Sequence, residues 1–285
     1  MTKKVVKDML SNIVHIGNKK SFWSPKMREF IYGASSWVHI FDLDKTLVKL
    51  EEVKKELTTL TKEGKTVLFV STKVQARKPL AELATETGHP YVSEKWVPGL
   101  LTNFRTIKKR IATYMRLLKD NEKGNLDILT KKEKAAKLLE LSKLDKAYKG
   151  LKEMKRLPDA VFVVDGRFEE QAVLEARKLK IPVYALLNTN WDIDSATNFV
   201  PVNTNSFKSI KFVLEFLKDG ISAPKQVSAK STNRGGFKKM TQRGDTQRRD
   251  KKDKRLEKKA PAKKPEVKLE TKKAAVETEA KKEIK

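Results

Sequence analysis

Short apolar runs rich in β-branched and aromatic residues alternate with longer amphipathic stretches along residues 1–221, and this rhythm restricts the chain to few folds. The runs are Trp37–Phe41, Thr66–Val70, Ala160–Val164 and Val183–Leu187, with a weaker one at Tyr91–Val92. Between them, Leu47, Leu50, Val53, Leu57 and Leu60 recur at spacings of three and four, the signature of one buried helix face. Residues 74–87, 169–179 and 206–218 follow the same pattern. Gly64, Gly88 and Pro182 stand where helices should stop. Strands that alternate with helices predict right-handed crossovers and an α/β fold, a parallel sheet flanked by helices.

One segment breaks the rhythm. Thr102 to Lys155 carries no strand signal. Ile107, Ile111, Met115 and Leu118 predict one helix face, and Leu141, Leu144, Tyr148 and Leu151 predict another. Thr130 with Glu133 fits a capping box between them. The expectation is a lysine-rich, coiled-coil-like α-helical hairpin inserted in the α/β body. The predicted division is therefore 1–101 and 157–221 for the two parts of the body, 102–156 for the hairpin and 222–285 for a tail.

Composition distinguishes that tail. Residues 222–285 hold 22 Lys+Arg against 9 Asp+Glu, so they carry +13 of the chain's formal +27. They contain few large apolar residues, cannot offset their ordering entropy, and read as disordered and basic. So large an excess calls for an anionic partner. With no cysteine there is no disulfide scaffold, thiol catalysis or Cys-ligated zinc. Apolar runs such as Ala160–Val164 are far too short to span a bilayer. The opening MTKKVVKDML lacks an apolar signal-peptide region, so neither secretion nor membrane insertion is expected.

The most conspicuous catalytic string is His39-Ile40-Phe41-Asp42-Leu43-Asp44-Lys45-Thr46. It resembles the first motif of haloacid-dehalogenase-type phosphatases, in which one Asp attacks phosphorus beside Mg²⁺ and the second serves as acid and base. In that reading Ser71 or Thr72, and Asp165 with Glu169 or Glu170, would supply further motifs. The spacing after Asp165 fits poorly, and Asp44 could simply cap a helix starting at Lys45.

Taken in order, a larger set of motifs covers about residues 5–220. They are Met9-Leu10 with Val14-His15-Ile16-Gly17, Trp23-Ser24-Pro25-Lys26-Met27, Phe30-Ile31-Tyr32-Gly33, Val38-His39-Ile40 with Lys45-Thr46, and Leu68–Lys73. The most specific stretch is Trp96–Ile107, and Leu157–Asp165, Glu175-Ala176, Ile181–Val183 and Thr189-Asn190 follow. This series resembles the S-two family of small-subunit ribosomal proteins, of bacterial or organellar type. The resemblance implies a flavodoxin-like sheet with a coiled-coil arm. It also implies a non-enzymatic structural role in the cytoplasmic small ribosomal subunit, with 16S ribosomal RNA and other small-subunit proteins as partners. No cofactor, metal, membrane or small-molecule substrate is expected. Asn18 and Asn188 depart from residues common in the family.

RNA of this kind is held mainly through phosphates and shape, which calls for cations on a rigid body and some groups for exposed bases. Three clusters qualify: Lys19, Lys20, Trp23, Lys26 and Arg28; Lys73, Arg77 and Lys78; and Lys95, Trp96, Asn103, Arg105, Lys108 and Lys109. Trp23 and Trp96 could instead serve packing, His15, His39 and His89 read as structural, and Asp192 with Asp194 reads as a turn. The tail's mobile charge should act through counterion release. Deleting residues 225–285 is therefore expected to weaken RNA binding at low salt while leaving the fold intact. Equal affinity and salt slope in the truncated protein would remove the tail from RNA binding.

Overall fold

The computed structural model describes residues 2–223. The tail from residue 224 onward, with its basic patches, lies outside the described residues. In chain order the elements are α1 (Thr2–Ser11), β1 (Ile16–Lys19), β2 (Ile31–Ser35), β3 (Val38–Phe41), α2 (Leu43–Lys62), β4 (Val67–Val70), α3 (Val74–Thr87) and β5 (Tyr91–Val92). Then come α4 (Phe104–Glu122), α5 (Lys131–Tyr148), β6 (Ala160–Val164), α6 (Glu170–Lys178), β7 (Val183–Leu187), β8 (Asn198–Pro201) and α7 (Phe207–Lys218).

Five strands form one parallel sheet in the order β5-β4-β6-β7-β8. Numbered from β4, that is the flavodoxin-like order 2-1-3-4-5. The continuous apolar runs arise because the sheet is covered on both faces. Along β4, β6 and β7, alternate side chains go to opposite cores. Val67, Phe69, Ala160, Phe162, Val164, Tyr184 and Leu186 join Leu50 and Val53 of α2, Leu80 of α3 and Val213 of α7. Leu68, Val70, Val161, Val163, Ala185 and Leu187 join Ile107 and Tyr114 of α4 and Ala172 and Val173 of α6. The α/β fold with flanking helices is as the sequence predicts.

Four details differ from expectation. The Trp37–Phe41 run is not in the parallel sheet. As β3, it is the central strand of a separate antiparallel sheet ordered β1-β3-β2. The hairpin that creates this sheet turns through Ser36 and Trp37, both with positive φ and neither glycine, so the usual Asn-Gly or Asp-Gly signal is missing. β8, which ends in proline on the sheet edge, and α1 were likewise not foreseen. The cap of α2 is Asp42, not Asp44: Asp42 Oδ1 accepts from the backbone N–H groups of Asp44 and Lys45, at 3.1 and 3.4 Å. On α4 the buried stripe runs Ile107, Ile111, Tyr114 and Leu117, displacing Met115 and Leu118.

The helices α4 and α5 run between β5 and β6. α5 begins with a reciprocal cap, Thr130 with Glu133, as the spacing predicts. Tyr114 Oη donates to Asp145 Oδ1 across the pair at 2.5 Å. At its base, Gly150 lies so close to β5 that a Cβ would sit 2.3 Å from the carbonyl oxygen of Tyr91.

His89 precedes β5 and ties the start of β4 to the residues after α7. Its Nδ1 accepts from the Val67 N–H at 3.3 Å, and Nε2 lies 3.1 Å from the Ser222 carbonyl oxygen, to which it donates in the neutral ring. Burial lowers its pKa from the usual 6.5, against the opposing pull of the Ser222 carbonyl. Protonation would set a second N–H against that of Val67. A lowered folded pKa means the unfolded chain binds the proton more readily, so this stability is present above the unfolded pKa and is lost as pH falls below it. The thermal midpoint should fall between about pH 7 and about pH 5, and His89→Gln should shrink that fall. An identical fall in the variant would show that His89 does not carry it.

Candidate nucleic-acid interface

The candidate cations do not share one fate. The first cluster surrounds the antiparallel sheet. Lys19 and Lys20 are exposed at the end of β1, and Arg28 is exposed beside the buried Met27. Trp23, 39% exposed, leans on His39 with ring centroids 5.5 Å apart. The loop is pinned by the Ser24 N–H, which donates to the Thr189 carbonyl at 2.7 Å. Lys26 is engaged within the fold, since its ammonium meets Asp192 at 2.9 Å and also pairs with Asp194. Those hydrogen bonds raise its pKa, and Asp192 in turn caps the short helix Ile193–Ser195. The Asp192–Asp194 segment is thus a turn, as its sequence suggests, with Lys26 as counterion.

Three exposed aromatics in this region escaped the sequence reading. Phe22 faces the Arg167 guanidinium, Tyr32 stands at an irregularity in the β2–β3 register, and Trp37 occupies the hairpin tip. Tyr32 and Trp37 are 82% and 80% exposed. Aromatic residues in strands normally signal burial, so nothing in the pattern marked them as external.

The second cluster is largely internal. Lys73 follows β4 and its ammonium lies 2.6 Å from Asp165 Oδ2, with both side chains nearly buried. It also donates to Asn205 Oδ1 at 2.6 Å, while Thr204 Oγ1 donates to the same Asp165 oxygen at 2.9 Å. Asn205 continues to Asn18 Oδ1 at 3.0 Å, which joins this network to the first cluster. Arg77 Nε donates to the Thr72 carbonyl at 2.9 Å. Lys73 is thus not a surface cation, and of this cluster Lys78 alone is exposed.

This network fills the carboxyl ends of β4 and β6, the switch point where open α/β sheets ordinarily take a ligand. It also bears on the phosphatase reading. Thr72 donates its hydroxyl to Glu169 Oε1 at 2.7 Å, and Asp165 is already paired with Lys73. Asp42 and Asp44 follow β3, a strand of the other sheet. Thr46 Oγ1 donates to the Pro201 carbonyl at 3.0 Å, so the start of α2 lies against β8. Among the described residues, no group of three or more His, Asp or Glu side chains is placed to hold the Mg²⁺ that the phosphatase reading needs.

The third cluster is organised by a residue that the charge pattern did not single out. Glu175 of α6, 9% exposed, accepts from Trp96 Nε1 at 3.1 Å and from the Gly99, Leu101 and Thr102 N–H groups at 2.7, 3.0 and 3.2 Å. The Thr102 hydroxyl adds another bond at 3.2 Å. Burial alone would raise the pKa of Glu175, but these donors outweigh it and leave the carboxyl below its usual range. Trp96 is buried and its N–H is committed, so its part is packing. Lys95, Asn103, Arg105, Lys108 and Lys109 remain exposed around this loop and the first turns of α4.

Comparison with known proteins gives the same family throughout. The family profile described as Ribosomal protein S2 matches residues 9–223. The small ribosomal subunit protein uS2 of Coprothermobacter proteolyticus is 43% identical over 221 residues, covering 78% of this chain and 82% of the relative. That of Dictyoglomus turgidum is 42% identical over 221 residues, covering 78% and 90%. That of Fusobacterium nucleatum is 41% identical over 217 residues, covering 76% and 88%.

Removing the anchor of the Trp96–Thr102 loop tests the third cluster. Glu175→Ala leaves several buried donors without a partner and is expected to cost about 3 kcal/mol. Denaturant unfolding would measure this, and a loss under about 1 kcal/mol would show that the loop holds without its carboxylate.

Proposed function

Because the chain belongs to the ribosomal protein S2 family, we propose that it is a non-enzymatic structural constituent of the small ribosomal subunit, binding 16S ribosomal RNA and neighbouring ribosomal proteins. The single observation that carries the RNA reading is the distribution of charge around the small antiparallel sheet. Between Met9 and Arg28 the only charged side chains are Lys19, Lys20, Lys26 and Arg28. All four are exposed, and Lys26 is paired at the surface with Asp192 and Asp194. Such a run of cations attracts phosphates. Lys78, Lys95, Arg105, Lys108 and Lys109, with Asn103, extend the candidate surface, whereas Trp96 and Lys73 act by fixing the scaffold.

The relatives' names place them in the small subunit, and no helix among the described residues is long and apolar enough to cross a membrane. In cell lysate the protein should co-sediment with the small subunit through a moderate salt wash, and its absence from that fraction would end the proposal. Lys19→Ala with Lys20→Ala should reduce the slope of log affinity against log salt for 16S RNA by about two. An unchanged slope would move the RNA contact elsewhere.

A further inference from the structure

We propose that Trp37, with Lys20 beside it, is a platform on which an unpaired RNA base stacks. The inference rests on the RNA-binding role proposed above and names the contact that one residue makes.

Ser35 pairs with Val38, so only Ser36 and Trp37 form the hairpin turn. Their φ angles are +47° and +66°. Both are left-handed conformations that glycine or asparagine would adopt with less strain, and a bulky aromatic there is an outlier. Burial does not account for the choice, because Trp37 is 80% exposed. A tryptophan therefore stands at the tip of a tight hairpin, strained in its backbone and unburied in its side chain. The strain is stability given up at a position where only an external contact could use the indole.

Its surroundings define that contact. The Lys20 N–H donates to the Trp37 carbonyl at 2.9 Å, so the two residues are held side by side. The Lys20 ammonium lies 5.8 Å from the indole centroid. Lys19, paired with Val38, is next to it. No acidic residue occurs in β1, β2, β3 or the turn that joins β2 to β3. A flat π face with an ammonium over it, on strands that carry no carboxylate, suits a nucleotide, whose base stacks while its phosphate meets the ammonium group. It suits an acidic peptide less well, since a peptide would leave most of the indole face uncovered. A base within a duplex cannot present its face, so the ligand is an unpaired nucleotide.

The full-length protein, Trp37→Gly and Trp37→Phe would be titrated with a short oligoadenylate and with 16S RNA, following tryptophan emission and affinity. Trp37→Gly relieves the turn, so its thermal midpoint should rise or hold while its affinity for oligoadenylate falls about tenfold, the loss of one stacked base. Trp37→Phe keeps an aromatic face and should retain most of the affinity, while the emission quenched by oligoadenylate in the parent disappears. Equal oligoadenylate affinity for the parent and Trp37→Gly, or no quenching that depends on Trp37, would overturn the platform. If the parent fails to bind 16S RNA at all, the wider RNA role fails; if it binds and only the Trp37 effects are missing, this inference alone fails.

Discussion

The buried carboxylate of Glu175 sets the position of everything built on one side of the parallel sheet. It stands on α6, which packs against that face through Ala172, Val173 and Ala176. The donors it collects all lie in the Trp96–Thr102 loop, the link between edge strand β5 and the start of α4. A charge withdrawn from water is tolerated only when its lone pairs are met, and here backbone N–H groups of one tight loop meet them. The loop cannot shift without exposing the carboxylate. α4 therefore leaves the sheet in a fixed direction, and the exposed cations on its first turns are held in place by an anion they never touch.

The same economy governs the switch point. An open α/β sheet leaves a crevice where its strand order reverses, and most such folds use it for a ligand. Here Lys73, Asp165, Thr204 and Asn205 bond to one another in that crevice. Ion pairing under low exposure needs these additional hydrogen bonds, since an incompletely partnered charge there would be destabilising. With the crevice occupied from within, the surface left for partners is peripheral: the antiparallel sheet and the base of the helical pair. That suits a scaffold held by a large anionic partner better than one built around a small ligand.

How much of this could be read from the sequence depends on how far apart the cooperating residues lie. β6 and β7 were legible to the residue because a strand buried on both faces must be apolar throughout. α3 was legible because its spacing ends at Gly88, which takes the left-handed cap. That Lys73 is nearly buried was not legible locally, because its partner lies 92 residues downstream. Glu175 was visible only as part of a motif, since its donors are 73 to 79 residues upstream. The phosphatase string misled for a related reason: local sequence identifies a strand followed by acidic residues but cannot say to which sheet the strand belongs. Asp42 serves as a helix cap, a role its composition allowed equally well.

Two left-handed residues in this fold show how strain can be weighed. Asp165 has φ +69°, and its carboxylate receives Lys73 and Thr204 while its own N–H bonds to Leu186. The cost at Asp165 is offset within the molecule, and aspartate tolerates that conformation better than most residues. Trp37 has nearly the same φ, +66°, but its ring is unburied and its internal compensation is one backbone bond and a loose cation contact. A residue of lower intrinsic strain could make the backbone bond equally well. Strain offset by internal contacts explains itself, whereas strain at an exposed aromatic tip points outward, to whatever meets the indole when the protein is in its assembly.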